Sequence, residues 1–199
     1  NVGLAVYLPV YMQSALDLSA SDSGIALLGF LLGTVAGAMT SGRMVPKMIH
    51  YKRIALLGAA FSGICLCLLG FVAADAPFAL IELLTVGVGL GTGASFPIAT
   101  VSVQNAVDQK HLGVATGVLT FLRSLGGALG VALLGAVALG YGMPLGGEEV
   151  HKGSHAVSAA AFETIFFVCA AIMMLALLTF WLMPEKRLRG RGNPAAVVE

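Results

Sequence analysis

Residues 111–137 read HLGVATGVLTFLRSLGGALGVALLGAV. The stretch is apolar or small almost throughout, and Arg123 is its only Lys, Arg, Asp or Glu. At about 1.5 Å of rise per residue, such a helix crosses a hydrocarbon core of about 30 Å, with Arg123 about 15 Å from its start. A guanidinium near the bilayer centre costs at least about 2.5–3.5 kcal/mol on insertion scales, so it must face protein or water. Thr116, Thr120, Gly126, Gly127 and Gly130 share its helical face, a small and polar stripe suited to a bundle interior.

Four comparable stretches surround this one. Long apolar runs cover about 23–44, 54–74, 77–107 and 160–183. A shorter run, 2–13, is marginal for a crossing. The whole chain of 199 residues is 58% hydrophobic and only 11% charged, with a mean hydropathy of +0.93. Soluble domains run nearer to 25% charged, so the composition excludes a water-soluble enzyme. The expected fold is all-α: a polytopic transmembrane bundle over 1–183, followed by a basic tail over 184–199. The chain begins with Asn1 and its first run is cut short, so we expect a fragment lacking its N-terminal part. A short re-entrant or interfacial helix is the alternative for that first run.

Charge gives the topology. Arg43, Lys47, Lys52 and Arg53 lie between the second and third runs, Lys110 between the fourth and fifth, and Lys186, Arg187, Arg189 and Arg191 in the tail. The alternate connections carry Asp17, Asp22, Asp75, Glu148 and Glu149, with Lys152 their only basic residue. The positive-inside rule puts the basic side, and with it the C-terminus, in the cytoplasm. The expected location is a cell (inner) membrane.

Glycines recur at four-residue spacing, as in Gly29–Gly33–Gly37, Gly87–Gly91, Gly89–Gly93, Gly113–Gly117 and Gly126–Gly130. In lipid, helices associate by close van der Waals approach, which small residues at i, i+4 permit. Gly33, Gly37, Gly89, Gly93, Gly126 and Gly130 are therefore candidate packing positions. Pro97 removes one backbone hydrogen bond and makes the fourth helix a candidate for bending.

Few residues offer chemistry. Arg123 either pins a helix contact or serves as a pathway charge, with Thr120, Gly127 and Gln104 beside the pathway. Its expected partners are backbone carbonyls, Gln104 or Ser95 through water, or a carboxylate in the absent part. Glu82 and Glu163 fall near the outer ends of their helices, as proton-handling or cation-attracting groups at an outer vestibule or as solvated charges, and Glu82 is a further candidate pathway or coupling residue. His151 and His155 have i, i+4 spacing without a third ligand, and Cys65, Cys67 and Cys169 lack metal-ligand spacing. Neither a metal nor a cofactor is implied. The basic tail lacks interleaved aromatics and reads as a membrane anchor, not a nucleic-acid arm.

Taken in order, YLPVYMQ (7–13), SGIALLGFLLGTVAGAMTSGRMVPKMIHYKRIALLG (23–58), GVGLGTGASFPIATVSVQNAV (87–107) and the 111–137 stretch resemble the C-terminal half of major facilitator superfamily transporters. The similarity is greatest to the 14-helix drug:proton antiporter branch (EmrB/QacA type). The resemblance implies two six-helix lobes that rock about a mid-membrane substrate site. It implies as partners the lipid bilayer, a missing N-terminal lobe, a small-molecule substrate and protons. Gly42, Arg43, Lys47 and Lys52 fall where the family's cytoplasmic loop motif has its glycine and basic residues, although Met48, Ile49 and His50 replace the usual turn glycine. The expected function is proton-coupled export of drugs or other small amphipathic molecules. A structural or assembly subunit, and a uniporter or importer on the same scaffold, are the alternatives.

Overall fold

The computed structural model describes residues 1–45, 52–73, 77–142 and 155–183, with side chains from 159 in the last segment. Among them every regular element is helical: α1 (Val2–Ser14), α2 (Ala20–Met44), α3 (Lys52–Val72), α4 (Phe78–Ala106), a 3₁₀ turn (Gln109–His111), α5 (Leu112–Gly140) and α6 (His155–Leu182). Five of the helices, α2 to α6, are long and apolar enough to cross a membrane.

Local chemistry sets some of the boundaries. α2 starts three residues before the expected 23, because the Ser19 hydroxyl accepts the Asp22 amide at 3.1 Å and donates to the Asp22 carboxylate at 2.7 Å. A serine cap with an acid in the first turn satisfies a free N–H and suits the helix dipole, a gain that hydropathy does not register. α6 starts at His155, five residues before the expected 160. The 184–199 tail lies outside the described residues.

α4 is the spine. Its two glycine pairs face different neighbours. On one face, a Cβ at Gly89 or Gly93 would collide with the α2 carbonyls of Phe30 or Thr34. Reciprocally, a Cβ at Gly33 or Gly37 would collide with the α4 carbonyls of Val86 or Leu90. Each glycine thus seats a carbonyl of the other helix, and the residue numbers rise together, so α2 and α4 run parallel. On the second face Gly91 seats the Gly58 carbonyl of α3, and Gly87 meets Cys65 Sγ and the Phe61 ring. Ser62 adds a buried hydrogen bond from its hydroxyl to the Val88 carbonyl at 3.3 Å. Backbone contact of this kind admits Cα–H···O interactions worth about 0.5–1 kcal/mol each.

α1 is threaded into the bundle and does not lie along a surface. Tyr11 is fully buried; its hydroxyl donates to the Ala73 carbonyl at 2.6 Å, and its ring packs edge-on to Phe162 and Phe166 of α6 at 5.0 and 5.3 Å. With 13 residues it rises only about 20 Å. The outer faces are apolar: Leu28, Leu32, Val35 and Met39 of α2 and Leu57, Phe61, Ile64, Leu68 and Phe71 of α3 are exposed. A surface of this kind is stable against acyl chains, not water.

Lys52 closes one end. Its Nζ donates to the carbonyls of Trp181 and Met183 at 2.6 and 2.7 Å. These are orphan acceptors at the end of α6, where a cation also suits the helix dipole. The start of α3 and the end of α6 therefore share one face of the bundle.

Two stability outcomes follow for the full-length protein in detergent. Gly93→Val should lower stability by about 1–3 kcal/mol, seen as a reduced thermal midpoint, while Gly117→Ala, where a Cβ meets nothing within 4 Å, should leave it unchanged. Lys52→Met should cost about 1 kcal/mol, and Lys52→Arg should restore most of it.

Candidate functional site: a cavity beside α5

α5 is held unlike α4. Its buried residues, Leu134, Gly135 and Ala138, cluster near its C-terminal end. The portion from Leu112 to Gly130 meets α4 through side chains. Gln104 Nε2 donates to Thr116 Oγ1 at 3.4 Å, and Arg123 Nη2 donates to Thr100 Oγ1 at 3.5 Å. The guanidinium also lies over the Phe96 ring, 5.1 Å from its centroid. Phe96, Thr100 and Gln104 are spaced four apart, so one face of α4 presents all three to α5.

Two of the expected partners of Arg123 are engaged otherwise or apart: Gln104 serves Thr116, and Ser95 Oγ is buried without a hydrogen-bond partner among the described residues. Phe96 and Thr100 were readable in principle: they stand two turns and one turn before Gln104. Proline within the helix leaves the Gly93 carbonyl without its usual amide, yet α4 runs unbroken from Phe78 to Ala106.

The glycines behind Arg123 also require correction. A Cβ at Gly126 or Gly130 meets nothing within 4 Å, and at Gly127 it meets only the Val2 side chain, at 3.2 Å. Gly126 and Gly130 are thus not seats for a helix among the described residues; spacing alone says that a helix could approach, not that one does. Thr120 is exposed and donates to the Thr116 carbonyl of its own helix. All three glycines instead line a cavity of about 290 Å³. Its walls come from α1 (Val2, Leu4), α3 (Leu66), α4 (Thr92, Phe96), α5 (Arg123, Leu134) and α6 (Cys169, Ile172, Met173). Asn1 Nδ2 donates to Thr92 Oγ1 at 3.0 Å across one wall. The hollow is apolar, with a single charged side chain, Arg123, on its lining.

The other expected site residues lie elsewhere. Glu82 sits beside Gly29, where its carboxylate fills the space a Cβ would need. Its Oε2 is buried without a hydrogen-bond partner among the described residues. Together with Asp22, Phe78 and Ile25 it lines a separate hollow of about 410 Å³. Gly42 faces Pro97 at 3.9 Å from where its Cβ would be, and Arg43 is exposed. Lys47 and His151 lie outside the described residues.

This architecture agrees with what the chain matches. Residues 1–198 match the model of the Major Facilitator Superfamily. The chain belongs to that superfamily. It is 30% identical over 142 residues to the tetracycline resistance determinant of Streptomyces rimosus, covering 69% of this chain and 41% of that protein. It is 30% identical over 135 residues to the multidrug transporter protein MdtP of Bacillus subtilis, covering 68% and 25%. It is 33% identical over 127 residues to the dehydrocurvularin exporter of Aspergillus terreus, covering 64% and 22%. The chain thus spans less than half the length of these relatives. No solved structure matches it. Family and helices together make it a multi-pass membrane protein.

If the hollow is hydrated, depth and exposure should separate in cysteine labelling. On a background free of the native cysteines, Gly126→Cys should react with a membrane-impermeant methanethiosulfonate. Ile64→Cys, 60% exposed in mid-α3, should stay unmodified because it faces lipid.

Proposed function

We propose that this chain forms the C-terminal lobe of a proton-coupled exporter of small amphipathic molecules, in the 14-helix drug:proton antiporter branch. The observation that carries this reading is the hollow between α1, α4, α5 and α6, with Arg123 on its lining about halfway along α5. A charge at that depth is expensive unless it serves a path for polar groups. An apolar chamber with a few polar atoms is the usual form of a small-molecule site. The names of the relatives, a tetracycline resistance determinant, a multidrug transporter and an exporter, support outward movement of such molecules.

In this reading the lobe carrying the cavity rocks against an N-terminal lobe, alternately opening the chamber to either side. The α2–α3–α4 layer provides the rigid body, since its helices are seated backbone to backbone. α5 provides the wall that faces the partner lobe. The basic ends of α2 and α3, with the Lys52-capped end of α6, face the cytoplasm by the positive-inside rule.

The test uses the full-length protein in proteoliposomes with an imposed proton gradient and a fluorescent amphipathic dye. Wild type should move the dye against its gradient, and collapsing the proton gradient should stop it. Gly126→Trp adds a ring where a Cβ meets nothing within 4 Å. It should cut the rate about tenfold or more at an unchanged thermal midpoint. Dye movement unaffected by the proton gradient would favour a uniporter. No movement by folded wild type would favour a structural subunit.

A further inference from the structure

We propose that the cavity selects amphipathic anions: an apolar body in the hollow, with a carboxylate or sulfonate group on Arg123. The inference deepens the transport reading and rests on it for the cavity's role, but not for its chemistry.

A guanidinium carries five N–H donors in a planar fork. Arg123 uses one of them, at the long distance of 3.5 Å, on Thr100; its face is covered by Phe96. Among the described residues no carboxylate contacts it. The stacked ring holds the group in place while leaving its edge free, and that edge matches a planar or tetrahedral oxyanion bidentately.

Next comes the lining. Among the described residues no acidic side chain reaches the cavity wall. α1 carries no charged residue, and α5 carries only Arg123. The one acid of α4, Glu82, stands fourteen residues before Phe96, about 20 Å along the axis, in its own hollow with Asp22. Glu163 of α6 precedes the cavity-lining Cys169 by six residues and is not on the wall. Among the described residues, a lipophilic cation here would meet one charged side chain, positive, and no compensating carboxylate. It would also find Phe96, the aromatic face among the lining residues best suited to a cation, already occupied by the guanidinium. An anion meets unused guanidinium donors, and charge-assisted hydrogen bonds are among the strong ones. Leu4, Leu66, Leu134, Ile172 and Met173 receive the apolar body.

Two dyes on the same aromatic frame test this. 8-Anilino-1-naphthalenesulfonate carries a sulfonate; N-phenyl-1-naphthylamine lacks it. Equilibrium binding of each is measured to the full-length protein in nanodiscs, with empty nanodiscs subtracted, and ethidium serves as the cationic comparison. Wild type should bind the sulfonate at least about tenfold more tightly than the neutral dye, and ethidium more weakly than either. Arg123→Gln should reduce that sulfonate-to-neutral affinity ratio about tenfold or more. Arg123→Lys, a point charge without the fork, should fall between. An unchanged ratio in Arg123→Gln, or tighter binding of ethidium than of the sulfonate by wild type, would overturn the proposal. Binding needs no proton gradient, so the two readings fail separately. Arg123-dependent sulfonate preference without dye transport leaves this proposal standing and defeats the exporter. Transport without that preference does the reverse.

Discussion

The rest of the structure depends on α4 having no side chains on the two lines where its neighbours touch it. Gly89 and Gly93 face α2, Gly87 and Gly91 face α3, and the carbonyls of Phe30, Thr34 and Gly58 occupy the space that side chains would take. In lipid there is little to gain from burying one more leucine, because the acyl chains are equally apolar. Close packing of backbone surfaces is the available alternative, and it is sensitive to shape. The α2–α4 contact has a fixed register because each carbonyl fits opposite one glycine. α6 then joins through α3, where Gly70 meets the Phe167 ring, and α1 through the Tyr11–Phe162–Phe166 aromatic group.

Against that body, α5 is differently made. It has as many glycines as a packing helix, yet Gly113, Gly117, Gly126 and Gly130 face open space among the described residues. Its anchorage to α1 and the core lies near Leu134 and Ala138, with Tyr7 reaching the Val131 carbonyl at 3.3 Å. At the far end of α5, Tyr141 shares a hydrogen bond of 2.8 Å with Thr164. Between Leu112 and Gly130 the link to α4 consists of Arg123 and Gln104 reaching across. The same sequence signature, small residues four apart, thus gives a sealed seam on α4 and an open chamber on α5.

Much of the fold was legible because the solvent dictates it. Runs of apolar residues long enough to span, with basic residues gathered in alternate connections, leave few arrangements other than an up-and-down helical bundle. What hydropathy could not place were boundaries set by polar chemistry, such as the Ser19 cap that starts α2 before Asp22. The site was legible in part. The depth and isolation of Arg123 marked it as a residue needing an explanation. Its neighbours were not identified, since Phe96 and Thr100 stand seven residues beyond Gly89 and Gly93 on the same helical face. That face meets α2 at the glycines and α5 further along, and spacing does not say which helix stands opposite at each level. Glycine spacing on α5 is limited in a related way: it reports permission for contact, and among the described residues no helix takes it up at Gly126 or Gly130.

The manner of joining α4 to α5 has a mechanical consequence. A backbone seat has one resting position, and displacement by a fraction of an ångström brings carbonyl against Cα. An arginine or a glutamine is a tether several bonds long, whose rotamers can keep hold of a hydroxyl while its base travels. Hydroxyls at Thr100, Thr116 and Thr120 provide stepping points for such a tether. The molecule therefore combines a welded joint and a slack one on the same helix. A change in the spacing of α4 and α5 would be taken up by those side chains, leaving the glycine seats of α4 on α2 and α3 intact.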